Sequence, residues 1–238
     1  RRSRRIQTRL QGVVSGIKKG CYSWDMGQLW TEEFNHALEQ ADEEVPMTQD
    51  GEVFPSVAGQ LLVAMPSLKD PQFGGTVIFV AEHTPKGAMG IVVNRVSEMT
   101  LGTLFSRLDL SLEGHPLEDL PVLQGGPVQT DRGFVLHTPT GTWSSTLAMT
   151  GGIGLTSSRD ILEATANGRG PQQLIVALGY SGWSEGQLDA ELAANAWLTV
   201  PLHDHSLLFS MPVEDRLSAA FRALGVDPVN LSGAIGHA

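Results

Sequence analysis

Hydrophobic positions follow different rhythms on the two sides of Gly59. Downstream, apolar and β-branched residues come in short runs broken by glycine, proline and polar residues. That spacing predicts strands over Gln60–Met65, Thr76–Glu82, Gly90–Asn94, Val122–Gln124, Gly133–His137, Thr146–Thr150, Gln173–Leu178 and Ala196–Val200. Helices are predicted over Thr100–Leu108, Ser157–Asn167, Ser184–Ala194 and Val213–Leu224. Ser157 or Ser158 can cap the first turn before Asp160-Ile161-Leu162, Pro212 sits ahead of Glu214 and Asp215, and Gly168 and Gly225 stand where helices stop. Several strands follow one another before the Ser157 helix, which predicts an α/β domain of the α+β type, with a mixed or largely antiparallel sheet and flanking helices. Upstream, Trp30, Phe34, Ala37, Leu38 and Ala41 share a helical face over Trp30–Glu44, with Thr31 as N-cap and Glu32 and Glu33 in the first turn. Pro46 to Pro55 reads as a linker, so the chain divides into a leader, 1–56, and a single domain, 57–238.

Charge sharpens that division. Residues 1–24 hold seven basic residues and no acidic ones, residues 25–56 hold nine acidic residues and no basic ones, and 57–238 carries a net charge of −8. A domain of that sign repels a phosphate backbone, so nucleic-acid binding is not expected of the body. The Arg-rich start suits a flexible arm for nucleic acid or anionic lipid, a targeting peptide, or an extension with no selected role. With 41% hydrophobic residues and a mean hydropathy of −0.04, the chain can bury one sizeable core. Its apolar runs are only strand-length, short of the roughly 18 to 20 residues that cross a bilayer, and Arg1 to Gly20 lacks the apolar core of a secretory signal. A soluble, cytoplasmic protein is the expectation. The single cysteine, Cys21, lies in the leader and has no second cysteine to pair with in the chain.

Four glycine clusters invite a phosphate-loop reading: Gly87–Gly90, Gly125-Gly126-Pro127, Gly151–Gly154 and Gly179–Gly182. None carries the Lys-Ser/Thr ending of a P-loop or a full GxGxxG, so tight turns and bulges account for them better. No Gly-x-Ser-x-Gly occurs, and Trp183 stands where the second glycine of a nucleophile elbow belongs. Tyr180, Trp183 and Trp197 read as core aromatics with one polar edge satisfied. Glu82-His83 and Asn94-Arg95 end two successive predicted strands, and the turn-rich connection between them can bring His83, Asn94 and Arg95 together as a general base beside an anion clamp. The plainer reading has His83 bonded to a turn backbone, Asn94 supporting the left-handed (αL) geometry common at strand ends, and Arg95 paired with Glu82 or Asp131. His203 and His205 have a metal-ligand spacing, with His237 as a third imidazole, but surface histidines are the better account. No cofactor is expected.

Whole phrases then carry more than single residues. Gly59 to Arg95 (GQLLVAMPSLKDPQFGGTVIFVAEHTPKGAMGIVVNR) strongly resembles the YqgE/AlgH family of bacterial proteins. So do Gln124–Val128, Arg132–His137, Thr156–Leu162, Gly179–Trp183 with Gln187-Leu188, Asn195–Leu198, and the closing Gly236-His237-Ala238. The likeness spans 57–238 and leaves out the leader. It departs at Val96, where the family usually has Pro, and at His203-Asp204-His205. The resemblance implies a branched sheet curled into a pseudo-barrel, and it brings no catalytic residues with it.

Three functions follow as expectations. The first is a regulatory or adaptor protein that binds a protein partner or small ligand through Glu82, His83, Asn94, Arg95, Arg132 and His137. The second is an enzyme with His83 or His137 as general base and Arg95 or Arg132 as anion clamp. The third is a DNA-binding transcriptional regulator, which the resemblance suggests because the family is named in part for a proposed regulator of alginate synthesis, and which the charge of the domain opposes.

Overall fold

The computed structural model describes residues 54–226. The order of elements is β1 (Leu61–Ala64), β2 (Val77–Thr84), β3 (Gly87–Val92), β4 (Val96–Thr100), α1 (Leu101–Arg107), β5 (Pro121–Gln124) and β6 (Val128–Thr138). There follow β7 (Thr146–Ala148), β8 (Gly154–Thr156), α2 (Asp160–Ala166), β9 (Gln173–Ser184), α3 (Gln187–Ala193), β10 (Trp197–Val200), α4 (Ser206–Phe209) and α5 (Arg216–Ala223). The strands join in the order β10-β1-β2-β3-β9-β6-β8-β7, with β5 added to β9 and β4 to β5. All the pairings are antiparallel except β5 with β9. The sheet curls into a half-barrel with helices packed around it.

The branch is built on β9. Its residues from Ser181 to Ser184 pair with β3, while Gln173 to Tyr180 pair with β6, and Ala177 and Leu178 also meet β5. Backbones must approach closely where three partners meet, and glycine permits it. A Cβ on Gly125 would lie 2.2 Å from the Gly179 carbonyl oxygen, and one on Gly126 2.2 Å from the Tyr180 carbonyl. Gly179 itself holds a left-handed φ of +75°. The Gly125-Gly126-Pro127 and Gly179–Gly182 clusters therefore shape the fork in the sheet.

Alternation along the strands gives each face its own core. Phe79, Ile91, Phe134, Leu136 and Leu155 pack on one face against Phe221 and Leu208 of α5 and α4. Ile78, Val92, Trp183 and Trp197 join Leu188 of α3 in a second cluster, and Val135, Val176, Phe105 and Ile161 make a third with α1 and α2.

Most predicted elements lie where the pattern put them, but β6 and β9 run further than expected, to Val128–Thr138 and Gln173–Ser184. β4, β8 and α4 were not expected at all. Ser158 does not cap α2; its hydroxyl bonds the Ser144 carbonyl and, at 2.6 Å, Asp160 Oδ1. Gly168 and Gly225 do follow helix ends in left-handed conformations. The Trp30–Glu44 helix lies outside the described residues. Among those described, no helix is long and apolar enough to cross a membrane.

Candidate functional site

The β2–β3 hairpin decides the fate of the expected His83, Asn94 and Arg95 cluster. The connection is a tight turn, with Thr84 opposite Gly87 and His83 opposite Ala88, so most of the presumed loop is strand. Asn94 ends up beside Val77, about 20 Å from His83 at roughly 3.3 Å per strand residue. The expected meeting does not occur, because a hairpin brings opposite residues together and these occupy its two ends.

Asn94 and Arg95 serve the loop before β2. Asn94 accepts the Val77 N–H at 2.7 Å and donates to the Gly75 carbonyl at 2.9 Å. The Arg95 guanidinium donates to the carbonyls of Gln72 (2.6 Å) and Gly74 (3.0 Å), not to Glu82 or Asp131. A guanidinium bound to two neutral carbonyls fixes a loop and keeps its charge uncompensated by them.

His83 sits at the other end, 2% exposed. Its Nδ1 accepts the Val57 N–H at 3.2 Å, its carbonyl accepts the Ser56 hydroxyl at 2.8 Å, and the Phe54 ring meets the imidazole edge-on, centroids 4.8 Å apart. Since Nδ1 accepts, the neutral ring carries its proton on Nε2. Among the described residues that nitrogen has no hydrogen-bond partner; the carboxylate oxygen Asp189 Oδ2, in the first turn of α3, lies 3.5 Å away. A buried donor left 3.5 Å from a half-exposed carboxylate is an unfinished interaction. Glu82, next along the strand, pairs with Met89, is exposed, and belongs to the opposite face.

His137 and Arg132 part by strand parity. Arg132 projects to the first core face, its guanidinium 5.5 Å from the Phe134 ring centroid and donating to Gln129 Oε1 at 3.2 Å. Burial lowers its pKa, while the Tyr180 hydroxyl and Asp131 work the other way. His137 faces the opposite side, wholly buried over Gly154 and edge-on to Trp143. Its Nδ1 lies 3.0 Å from the Pro139 carbonyl and its Nε2 2.7 Å from the Thr156 hydroxyl, which in turn is 2.6 Å from the Thr146 hydroxyl. Nδ1–H on the Pro139 carbonyl leaves Nε2 to accept the Thr156 hydroxyl, while the single proton of the Thr146 hydroxyl goes to the Trp143 carbonyl at 2.8 Å. Burial holds the ring neutral by lowering its pKa, opposed by the Pro139 carbonyl.

Sequence reasoning passed over Glu191 and Asp189. The Glu191 side chain is buried, with Oε2 accepting both indole N–H groups, from Trp183 at 2.9 Å and Trp197 at 2.8 Å, and Oε1 accepting from Gln187 at 3.0 Å. The available signal was a glutamate three residues after Leu188, on the apolar stripe of a helix flanked by two tryptophans. His203 is exposed, and His205 lies edge-on to Phe209. Among the described residues no group of three or more His, Cys, Asp or Glu side chains is placed to hold a metal ion.

A family model described as DUF179, AlgH-like, matches residues 61–229. A UPF0301 protein of Ralstonia nicotianae is 51% identical over 183 residues, covering 77% of this chain and 96% of its own. Another, from Bordetella petrii, is 53% identical over 181 residues, covering 76% and 89%. The solution structure of AlgH from Pseudomonas aeruginosa is similar at a TM-score of 0.64 and 44% identity, covering 78% of this chain and 98% of that one. The crystal structure of DIP2367 from Corynebacterium diphtheriae shares the fold at a TM-score of 0.56 and 19% identity, covering 71% and 87%.

Proposed function

The chain belongs to the AlgH-like family, and from that premise and the geometry above we propose that it is a regulatory or adaptor protein of the cytoplasm, acting by binding a partner at the His83 corner. The observation that carries this reading is the unfinished pair at that corner: a buried imidazole N–H facing a half-exposed Asp189 carboxylate, beneath a short stretch of chain. The reading as an enzyme loses its supports. His83 and Arg95 stand at opposite ends of a hairpin, and His137 and Arg132 on opposite faces of β6, so neither of these pairs sets a base beside an anion clamp. Direct DNA binding through the body conflicts with the net charge of −8 over 57–238.

Affinity enrichment from bacterial lysate with the full chain tests the proposal, using wild type, His83→Ala and Asn94→Ala as baits. Proteins enriched by the wild type should fall roughly tenfold with His83→Ala, equivalent to about 1.4 kcal/mol, and persist with Asn94→Ala. An enriched set that both variants retain, or no enrichment above bare matrix, contradicts it.

A further inference from the structure

Residues 54–58 lie over His83 without joining the sheet. Pro55 restricts Phe54 to extended backbone, which presents its ring to the imidazole. Ser56 then bonds the His83 carbonyl, Val57 N–H bonds Nδ1, and the Val57 side chain leans on the cluster that holds Trp183 and Trp197. The chain reaches the sheet only after Gly59, whose φ is +78° and whose N–H donates to the Val80 carbonyl at 2.8 Å. None of residues 54–58 is fully buried, whereas His83 beneath them is. The strap thus behaves as a short peptide seated on a preformed corner: an aromatic edge, a hydroxyl donor two residues later, then a backbone N–H and an aliphatic side chain.

We propose that the His83 corner is a recognition site for an extended peptide segment of a partner protein, carrying an aromatic residue two positions before Ser or Thr, and that Phe54–Val57 occupies it in cis as a displaceable stand-in. This rests on the reading of the corner as the binding region. Each feature the strap uses is one that a foreign peptide supplies: an N–H for Nδ1, a hydroxyl for the carbonyl, and a ring for the imidazole edge. The strap makes two side-chain or backbone hydrogen bonds to His83 and one ring contact, so its hold is that of a tethered weak ligand. Tethering gives such a ligand an effective concentration of order millimolar, and a partner of moderate affinity outcompetes it. Asp189, opposite the free Nε2, offers a partner's donor a contact that the strap leaves unused.

The test uses the isotope-labelled full chain and a synthetic peptide with the sequence of residues 54–60, followed by amide chemical shifts during titration. A Phe54→Ala/Ser56→Ala double variant should show saturable shifts confined to the ends of β2 and β3 and the start of α3. The wild type should need roughly tenfold more peptide, because its own strap competes. Adding His83→Ala to the double variant should abolish the response, and Ser56→Ala alone should respond between the two. Absence of saturable shifts in a folded double variant overturns the proposal, as does a response that survives His83→Ala. If the peptide fails while lysate partners still depend on His83, strap exchange falls and the adaptor reading stands.

Discussion

Glu191 satisfies two indole N–H groups at once, and its removal strands both inside the protein. A buried donor without an acceptor costs about 1–3 kcal/mol, so Glu191→Ala should lower the unfolding free energy by at least about 2 kcal/mol in urea titrations followed by tryptophan fluorescence. His137 adds a dependence on pH. Burial depresses its pKa below the ordinary 6.5, so the unfolded chain binds the proton more readily than the folded one. The stabilisation is complete above about pH 6.5 and is lost as pH falls through the folded value. Urea midpoints should drop between about pH 7.5 and 5.5 by more in the wild type than in His137→Gln; equal drops would remove His137 from the account. Residue types were legible in the sequence, but their company was not. The plain reading put His83 on backbone, which holds, although that backbone is Val57 before β1 and not a turn; its left-handed Asn94 does not hold, since Asn94 has no positive φ and instead ties Val77 and Gly75. Asp189 and Glu191 escaped because a carboxylate on an amphipathic helix reads as solvated until the element packed over it is known.

Among the elements, the fork at β9 depends on glycines that no side chain can replace. Gly125→Ala places a Cβ against the Gly179 carbonyl oxygen and should destabilise the fold by more than about 2 kcal/mol, or prevent its recovery as soluble protein. Gly168→Ala meets open space and pays only for its left-handed φ of +67°, about 1 kcal/mol. Similar losses for both, measured by thermal unfolding, would mean that the close approach is not what those glycines serve. The same glycines explain where sequence reading stopped short. Gly179 and Gly182 look like punctuation, so the sequence predicts a strand end at Leu178, although β9 runs through them because a second partner strand waits beyond. β4 hides in the polar alternation Val-Ser-Glu-Met-Thr, and α4 is too short to show a helical period. Strand alternation elsewhere is strong enough to place β1, β2 and β10 and to identify a sheet with flanking helices. The half-barrel closure came from the family resemblance, since curling and branching arise from which strands pair and leave little trace in local periodicity.

At the scale of the molecule, a half-barrel with three apolar clusters buries the His83 Nε2 nitrogen, without a hydrogen-bond partner among the described residues, beneath a thin cover. That cover enters the sheet at Gly59 and shares no ladder with it, so it should open without the rest of the fold. Partner access to the His83 corner depends on this separability. Native-state hydrogen exchange on the full chain measures it: the Val57 amide, bonded only to His83 Nδ1, should exchange through local opening, with a free energy well below that of Ile175 and Val176 in β9 and little response to low denaturant. If Val57 is protected to the same extent as those β9 amides, and its exchange accelerates with denaturant in parallel with theirs, the strap is an inseparable part of the fold and the His83 corner is not a site that a partner can enter.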